Sequence, residues 1–328
     1  MRRFLQLISK RTLGETNLIA PAGFVATRSP SPPMPRGVAA LTITSALLRN
    51  SRTHLSSTRR TADYIDAVAM PPLPAQREKR IVGTSLKMYF DLPSTLRYID
   101  AVAQLSSAAK QANVDLFVIP DFVTLLPSAE KLKDTNIQLG AQDTYSEDKG
   151  AFTGEVSPVT LKQAGASIVE IGHAERRRLF GETDADVAKK AAAVARNGMT
   201  PVVCIGEKNK SNIASQAVGI AVSECKPQIK AALSQLPDDA DVILAYEPVW
   251  AIGASEPAGA DHVVAVTQNL RALVAETGRK GRTRILYGGS AGPGTFQKLK
   301  DGVDGLFLGR FAHDVGNLEK VIEEMKDS

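Results

Sequence analysis

The 328-residue chain has two cysteines, one tryptophan and four histidines, and aromatic residues make up 5% of it. Two thiols cannot build a disulfide framework. Cys204 sits in an apolar run, so a buried thiol in a reducing compartment is expected. No run approaches the roughly 18 apolar residues of a bilayer-spanning helix. The longest near-apolar stretch of the N-terminal segment, residues 37–48, falls short, so neither a membrane-spanning helix nor a membrane partner is expected. Excess positive charge is missing from most of the chain, because residues 61–328 carry 30 Lys/Arg against 34 Asp/Glu. Without a clustered basic excess there is no electrostatic footprint for nucleic acid. A GxGxxG fingerprint is also lacking. That disfavours an open, doubly wound dinucleotide-binding sheet, whose Gly-rich turn should follow the first strand where this chain reads Thr84-Ser-Leu-Lys-Met.

The positive charge lies at the other end. Residues 1–60 hold ten Lys/Arg and a single acid, Glu15, and residues 1–78 hold eight of the 18 prolines. Such a stretch buries little apolar surface, and residues 1–78 read as a disordered basic extension. Its start differs. Arg2, Arg3, Lys10 and Arg11 flank Phe4, Leu5, Leu7 and Ile8, the pattern of an amphipathic organellar presequence. The alternative is an upstream extension with Met70 as the true initiator. The cytoplasm is the expected compartment on the second reading and the mitochondrion on the first.

From residue 79 to 328 short β-branched runs alternate with Ala/Lys/Leu-rich segments of helical period. Strands are expected at 80–87, 114–120, 137–142, 167–172, 201–206, 242–247, 284–288 and 305–309, with helices such as 183–197 and 261–277 between them. Continuous apolar runs suit strands buried on both faces, hence a parallel sheet. Eight strands with intervening helices in about 250 residues fit an α/β fold, the closed (β/α)8 barrel, as one domain.

In such a barrel chemistry collects where strands end and βα loops begin. Lys87 closes the first strand, although a lysine there is ordinarily just solvated. His173 follows the fourth strand where a helix should start. It could be a cap or a packed residue, but the positive end of a helix disfavours the imidazolium and leaves a neutral ring able to donate a hydrogen bond. Glu247 ends the apolar sixth strand, where a carboxylate is costly unless it is paired or functional. Strands seven and eight are followed by Gly288-Gly-Ser-Ala-Gly and Gly309-Arg-Phe-Ala-His. Glycines there let backbone N–H groups approach an anion, at the place where these barrels commonly bind phosphate.

Ala245-Tyr-Glu-Pro-Val-Trp-Ala-Ile-Gly253, Gly172-His-Ala-Glu-Arg-Arg177, Gly150-Ala-Phe-Thr-Gly-Glu155 and Tyr287-Gly-Gly-Ser290 resemble the triosephosphate isomerase family, in collinear order from about residue 80 onward. The resemblance implies that Glu247 is the catalytic base, His173 the electrophile and Lys87 the active-site lysine, with Glu175 in support. The arrangement of a Glu base with a neutral histidine is already known for triosephosphate isomerase. By the same resemblance Ser85 would contact substrate, and Gly253, Ser290, Gly309 and Arg310 would meet its phosphate. Residues 248–258 would form a lid, with Trp250 in its first hinge. No cofactor or metal is implied. Residues 150–155 match the loop that reaches into the partner's site in family dimers, so a homodimer is expected.

The chain departs from the family's usual motifs at several places. Asn-x-Lys becomes Ser85-Leu-Lys87, and His-Ser-Glu becomes His173-Ala-Glu175, which loses a hydroxyl that could cap the helix. The Gly-Gly pair after strand eight becomes Gly309-Arg310. The second half of the lid reads Ala254-Ser-Glu-Pro-Ala258. The default function by resemblance is the glycolytic interconversion of dihydroxyacetone phosphate and glyceraldehyde 3-phosphate, an aldose–ketose isomerisation. The related tetrulose-phosphate isomerases, acting on erythrulose phosphates, are similar in Gly83-Thr-Ser, the Pro-Ala end of the lid and the Gly-Arg pair, and give the alternative. A non-catalytic barrel is the third reading, but it should have lost Lys87, His173 or Glu247, and the chain keeps all three.

Overall fold

A computed structural model describes residues 79–255, 257–326 and 328. The expectations for residues 1–78 fall outside them. Eight strands run β1 (Arg80–Ser85), β2 (Val114–Ile119), β3 (Gln138–Ala141), β4 (Ile168–Ile171), β5 (Thr200–Ile205), β6 (Val242–Tyr246), β7 (Thr283–Tyr287) and β8 (Gly305–Leu308). Each pairs in parallel with its sequence neighbours, and β8 returns to β1, so the sheet closes into a barrel. All eight expected strands are present. Their C-terminal ends fall one or two residues earlier than the apolar runs suggest, which puts Lys87, Gly172, Glu247, Gly288 and Gly309 in the loops.

Strand side chains sort by alternation. Ile81, Phe117, Ile168, Cys204, Ala245 and Phe307 belong to a cluster inside the barrel. Val82, Leu116, Val169, Val203 and Leu244 belong to a larger one, which the helices cover. The interior is packed. The Phe117 and Phe307 rings stack with centroids 5.7 Å apart, and a Cβ on Gly83 would stand 2.0 Å from the Phe117 ring, so only glycine fits there. Among the described residues no helix is long and apolar enough to cross a membrane.

Helix Asp184–Arg196 shows how local signals set the frame. Thr183 and Asp186 form a capping box at its start. Its Lys190 is buried and reaches both Asp143, at 2.8 Å, and Glu182. Arg176 joins the same acids, 2.6 Å from Asp143. Asp143 thus ties the base of the loop after β3 to the elements that follow β4. Burial holds its pKa up, to about 6, against the pull of Lys190.

Candidate active site

The open end of the barrel holds a cavity of about 850 Å³. All nine site residues expected from the sequence line it, namely Ser85, Lys87, His173, Glu175, Glu247, Gly253, Ser290, Gly309 and Arg310.

Lys87 stands at the turn after β1 with φ of +50°, a conformation uncommon for a residue with a side chain. The Gln142 amide, donating to the Lys87 carbonyl at 2.8 Å, helps to hold that turn. Lys87 Nζ lies 2.7 Å from Glu175 Oε1 and 3.3 Å from His173 Nε2. Burial works against its charge, but the bond to Glu175 and the carboxylates of Glu175, Glu247 and Glu170 outweigh burial and raise its pKa. Lys87 remains a cation.

His173 is the N-cap of helix Ala174–Phe180, and its Nδ1 accepts the Glu175 backbone N–H at 3.1 Å. The imidazole therefore does the capping for which a hydroxyl at position 174 was expected, and Ala174 removes no cap from this helix. A nitrogen that accepts a backbone N–H carries no proton, so the neutral ring bears its hydrogen on Nε2, facing the cavity. The ring is 6% exposed, and its pKa is depressed to about 4, first by burial and then by Lys87. Neutrality was expected from the helix terminus alone; desolvation is the larger cause.

Glu247 follows β6 and is 4% exposed. Its Oε2 lies 3.4 Å from His173 Nε2 and has no hydrogen-bond partner. Burial, then the negative charges of Glu170 and Glu175, raise its pKa well above the ordinary value, with Lys87 opposing. Gly288 makes room for it, because a Cβ there would meet Glu247 Oε1 at 2.5 Å. A carboxylate with a free oxygen beside a neutral imidazole and a lysine can take a proton from a bound carbon acid while the other two groups stabilise the oxygen that becomes negative.

The far side of the cavity is built from loops after β6, β7 and β8. Ser290 Oγ donates to the carbonyl of Ala254 at 2.8 Å, and its backbone N–H to that of Ala251 at 3.3 Å, so this residue anchors the start of segment 248–258. Arg310 reaches across from the end of β8 to the Gly253 carbonyl, 3.4 Å away. Trp250 sits in the turn Val249–Ala251 and donates to Glu207 at 2.8 Å.

Glu170 was not among the residues expected in the site. It lines the cavity floor from β4 and accepts the Ser85 hydroxyl at 2.7 Å. The cost of a carboxylate among apolar strand residues, which singled out Glu247 at the end of its strand, applies to Glu170 within its own.

The closed parallel barrel with a carboxylate, an imidazole and a lysine gathered at its open end defines a class, the (β/α)8-barrel proteins. The comparisons narrow it. The family model described as triosephosphate isomerase matches residues 80–325, and the chain belongs to that family. An L-erythrulose-1-phosphate isomerase of Pectobacterium atrosepticum is 44% identical over 252 residues, covering 75% of this chain and 95% of that protein. One of Rhizobium meliloti is 40% identical over 250 residues, covering 74% and 96%. A triosephosphate isomerase of a Thermoanaerobacter species is 34% identical over 247 residues, covering 74% and 98%. The chain is thus an isomerase of this family.

Proposed function

We propose that this isomerase acts on a four-carbon ketose phosphate, L-erythrulose 1-phosphate, in preference to a triose phosphate. The observation that carries the reading is Ser85. The family's usual asparagine is replaced by a shorter side chain that turns to Glu170 at 2.7 Å and leaves space on the cavity floor. L-Erythrulose 1-phosphate is dihydroxyacetone phosphate with a hydroxymethyl group in place of one hydrogen on the reacting carbon, so it needs that space. The names of the two bacterial relatives support the same substrate.

The chemistry follows from the groups present. Glu247 removes the C3 proton, next to the C2 carbonyl. His173 Nε2–H and Lys87 stabilise the enediolate oxygens, and Glu175 holds Lys87 in place. The proton returns to C2 and the carbonyl moves to C3. The product is an erythrulose 4-phosphate, so the reaction interconverts two ketoses, unlike the aldose–ketose change of the triose reaction. The loops bearing Gly253, Ser290, Gly309 and Arg310 receive the phosphate. Residues 150–155 are exposed, and so are Met88, Leu179 and Phe180, which supports a homodimer assembled through that loop.

The triose reaction is the second reading, favoured by the intact group of Lys87, His173 and Glu247 and by the Thermoanaerobacter relative. Steady-state rates with both substrates decide between them. The proposal expects kcat/KM to be at least tenfold higher for L-erythrulose 1-phosphate, with the product's shifted carbonyl visible by carbon NMR. A preference for dihydroxyacetone phosphate would overturn it.

A further inference from the structure

Strand β4 carries a carboxylate into the barrel interior at its open end. Ile168 belongs to the interior cluster, and Glu170, two residues on, points the same way at the open end. On β1, Ile81 belongs to that cluster and Ser85 lies four residues further along the same face. The two side chains meet across the barrel, with Ser85 Oγ donating to Glu170 Oε2. Glu170 is 3% exposed, and among the described residues it forms no ion pair and receives no hydrogen bond except that of Ser85. Such a carboxylate is costly. The proton transfers assigned to Glu247, His173 and Lys87 leave it without a part.

We infer that Glu170, aimed by Ser85, is the specificity-determining group that binds the terminal hydroxyl of the four-carbon substrate. This rests on the tetrulose reading of the site. The carboxylate stands on the cavity floor, beside the space left by the short Ser85 side chain. One of its oxygens is engaged by Ser85, and the other is available to a hydroxyl. Burial lifts the Glu170 pKa to about 7, with the Ser85 bond opposing. Either protonation state serves, since a carboxylate accepts from a hydroxyl and a carboxylic acid donates to one. A triose phosphate has no group to offer here and would leave Glu170 desolvated and half-bonded. A site built to hydrogen-bond a substrate hydroxyl rejects the analogue lacking it far more strongly than an apolar pocket rejects a missing methylene. The same pair therefore accepts one substrate and penalises the other.

The test compares full-length wild type, Glu170→Gln, Glu170→Val and Ser85→Ala, each assayed with L-erythrulose 1-phosphate and with dihydroxyacetone phosphate. Both substrates are measured on one preparation, so the folded fraction cancels in the ratio of the two kcat/KM values. Glu170→Val should lower that ratio about 100-fold, and Ser85→Ala, which leaves the carboxylate unaimed, about tenfold. Glu170→Gln keeps an acceptor and a donor and should retain most of the ratio, which a merely structural role would not distinguish from valine. If the wild type prefers the tetrulose phosphate and the ratio stays put in both Glu170→Val and Ser85→Ala, the role of Glu170 is overturned and the substrate reading survives. Should Glu170→Val fail to fold, Ser85→Ala decides alone. A wild type that prefers the triose phosphate overturns the substrate reading itself, and this inference with it.

Discussion

The backbone N–H of Glu175 donates to Nδ1 of His173 at 3.1 Å. That single bond caps a helix, fixes the tautomer of the ring and turns Nε2–H toward Glu247 Oε2, 3.4 Å away. Protonating Nδ1 would break the cap and place a second cation 3.3 Å from Lys87.

The first prediction follows directly. His173 should remain neutral from pH 8 down to about 5, since burial and Lys87 depress its pKa to about 4 from an ordinary 6.5. An unfolded chain takes up this proton near pH 6.5, so the group withdraws stability as pH falls through 6.5 toward 4. Nitrogen NMR of labelled histidine would show one neutral ring with hydrogen on Nε2 across the neutral range. A His173 that titrates near 6.5 contradicts the cap geometry.

The acid limb of the pH–rate profile reports a second relationship. Glu247 must be ionised to act as base, and its pKa is raised by burial and by the neighbouring charge of Glu170. Activity should therefore fall on acidification at a higher pH than an ordinary carboxylate would give. Glu170→Gln removes one of the repelling charges, so the limb should move to lower pH. A limb that stays in place, or rises, shows that the two carboxylates do not interact across the cavity floor.

Substrate choice gives a third. Ser85→Asn refills the space beside Glu170 and breaks its hydrogen bond. One carbon unit is commonly discriminated by about 1–3 kcal/mol. The kcat/KM ratio should therefore shift toward the triose phosphate by about tenfold or more. An unchanged ratio places the discrimination elsewhere.

Trp250 is the chain's only tryptophan, and its indole N–H is tied to Glu207 while Lys210 stands 5.1 Å over its ring. A phosphate-bearing ligand at Gly253, three residues on, should disturb this cluster. A saturable change in emission is expected on adding a phosphorylated substrate analogue, and a weaker one in Lys87→Ala. Binding seen by calorimetry with unaltered emission would separate Trp250 from the phosphate site.

The fold was legible because strands buried on both faces read as continuous apolar runs, and several of these runs end at or beside a residue that lines the site, such as Lys87, His173 and Glu247. Lys87, His173 and Glu247 could be picked out singly, by type and by place at a strand end. What the same continuity hides is which side a strand residue faces. Glu170 lies within such a run, and only the in-and-out alternation of β4 against β1 brings it to Ser85, 85 positions earlier in the chain. The positive φ of Lys87 was equally out of reach, because it depends on a loop whose geometry is set by contacts from other strands, such as that of Gln142.

The most direct test of the account follows the migrating proton. L-Erythrulose 1-phosphate is incubated with the enzyme in D2O and its C3 proton is monitored by NMR. The account predicts that the C3 signal disappears and that deuterium enters the carbon that had been the carbonyl. It further predicts that Glu247→Asp, which retracts the carboxylate by about 1 Å, does so about 100-fold more slowly while keeping its fold. Retention of the C3 proton by the wild-type enzyme, or an undiminished rate in Glu247→Asp, would contradict it.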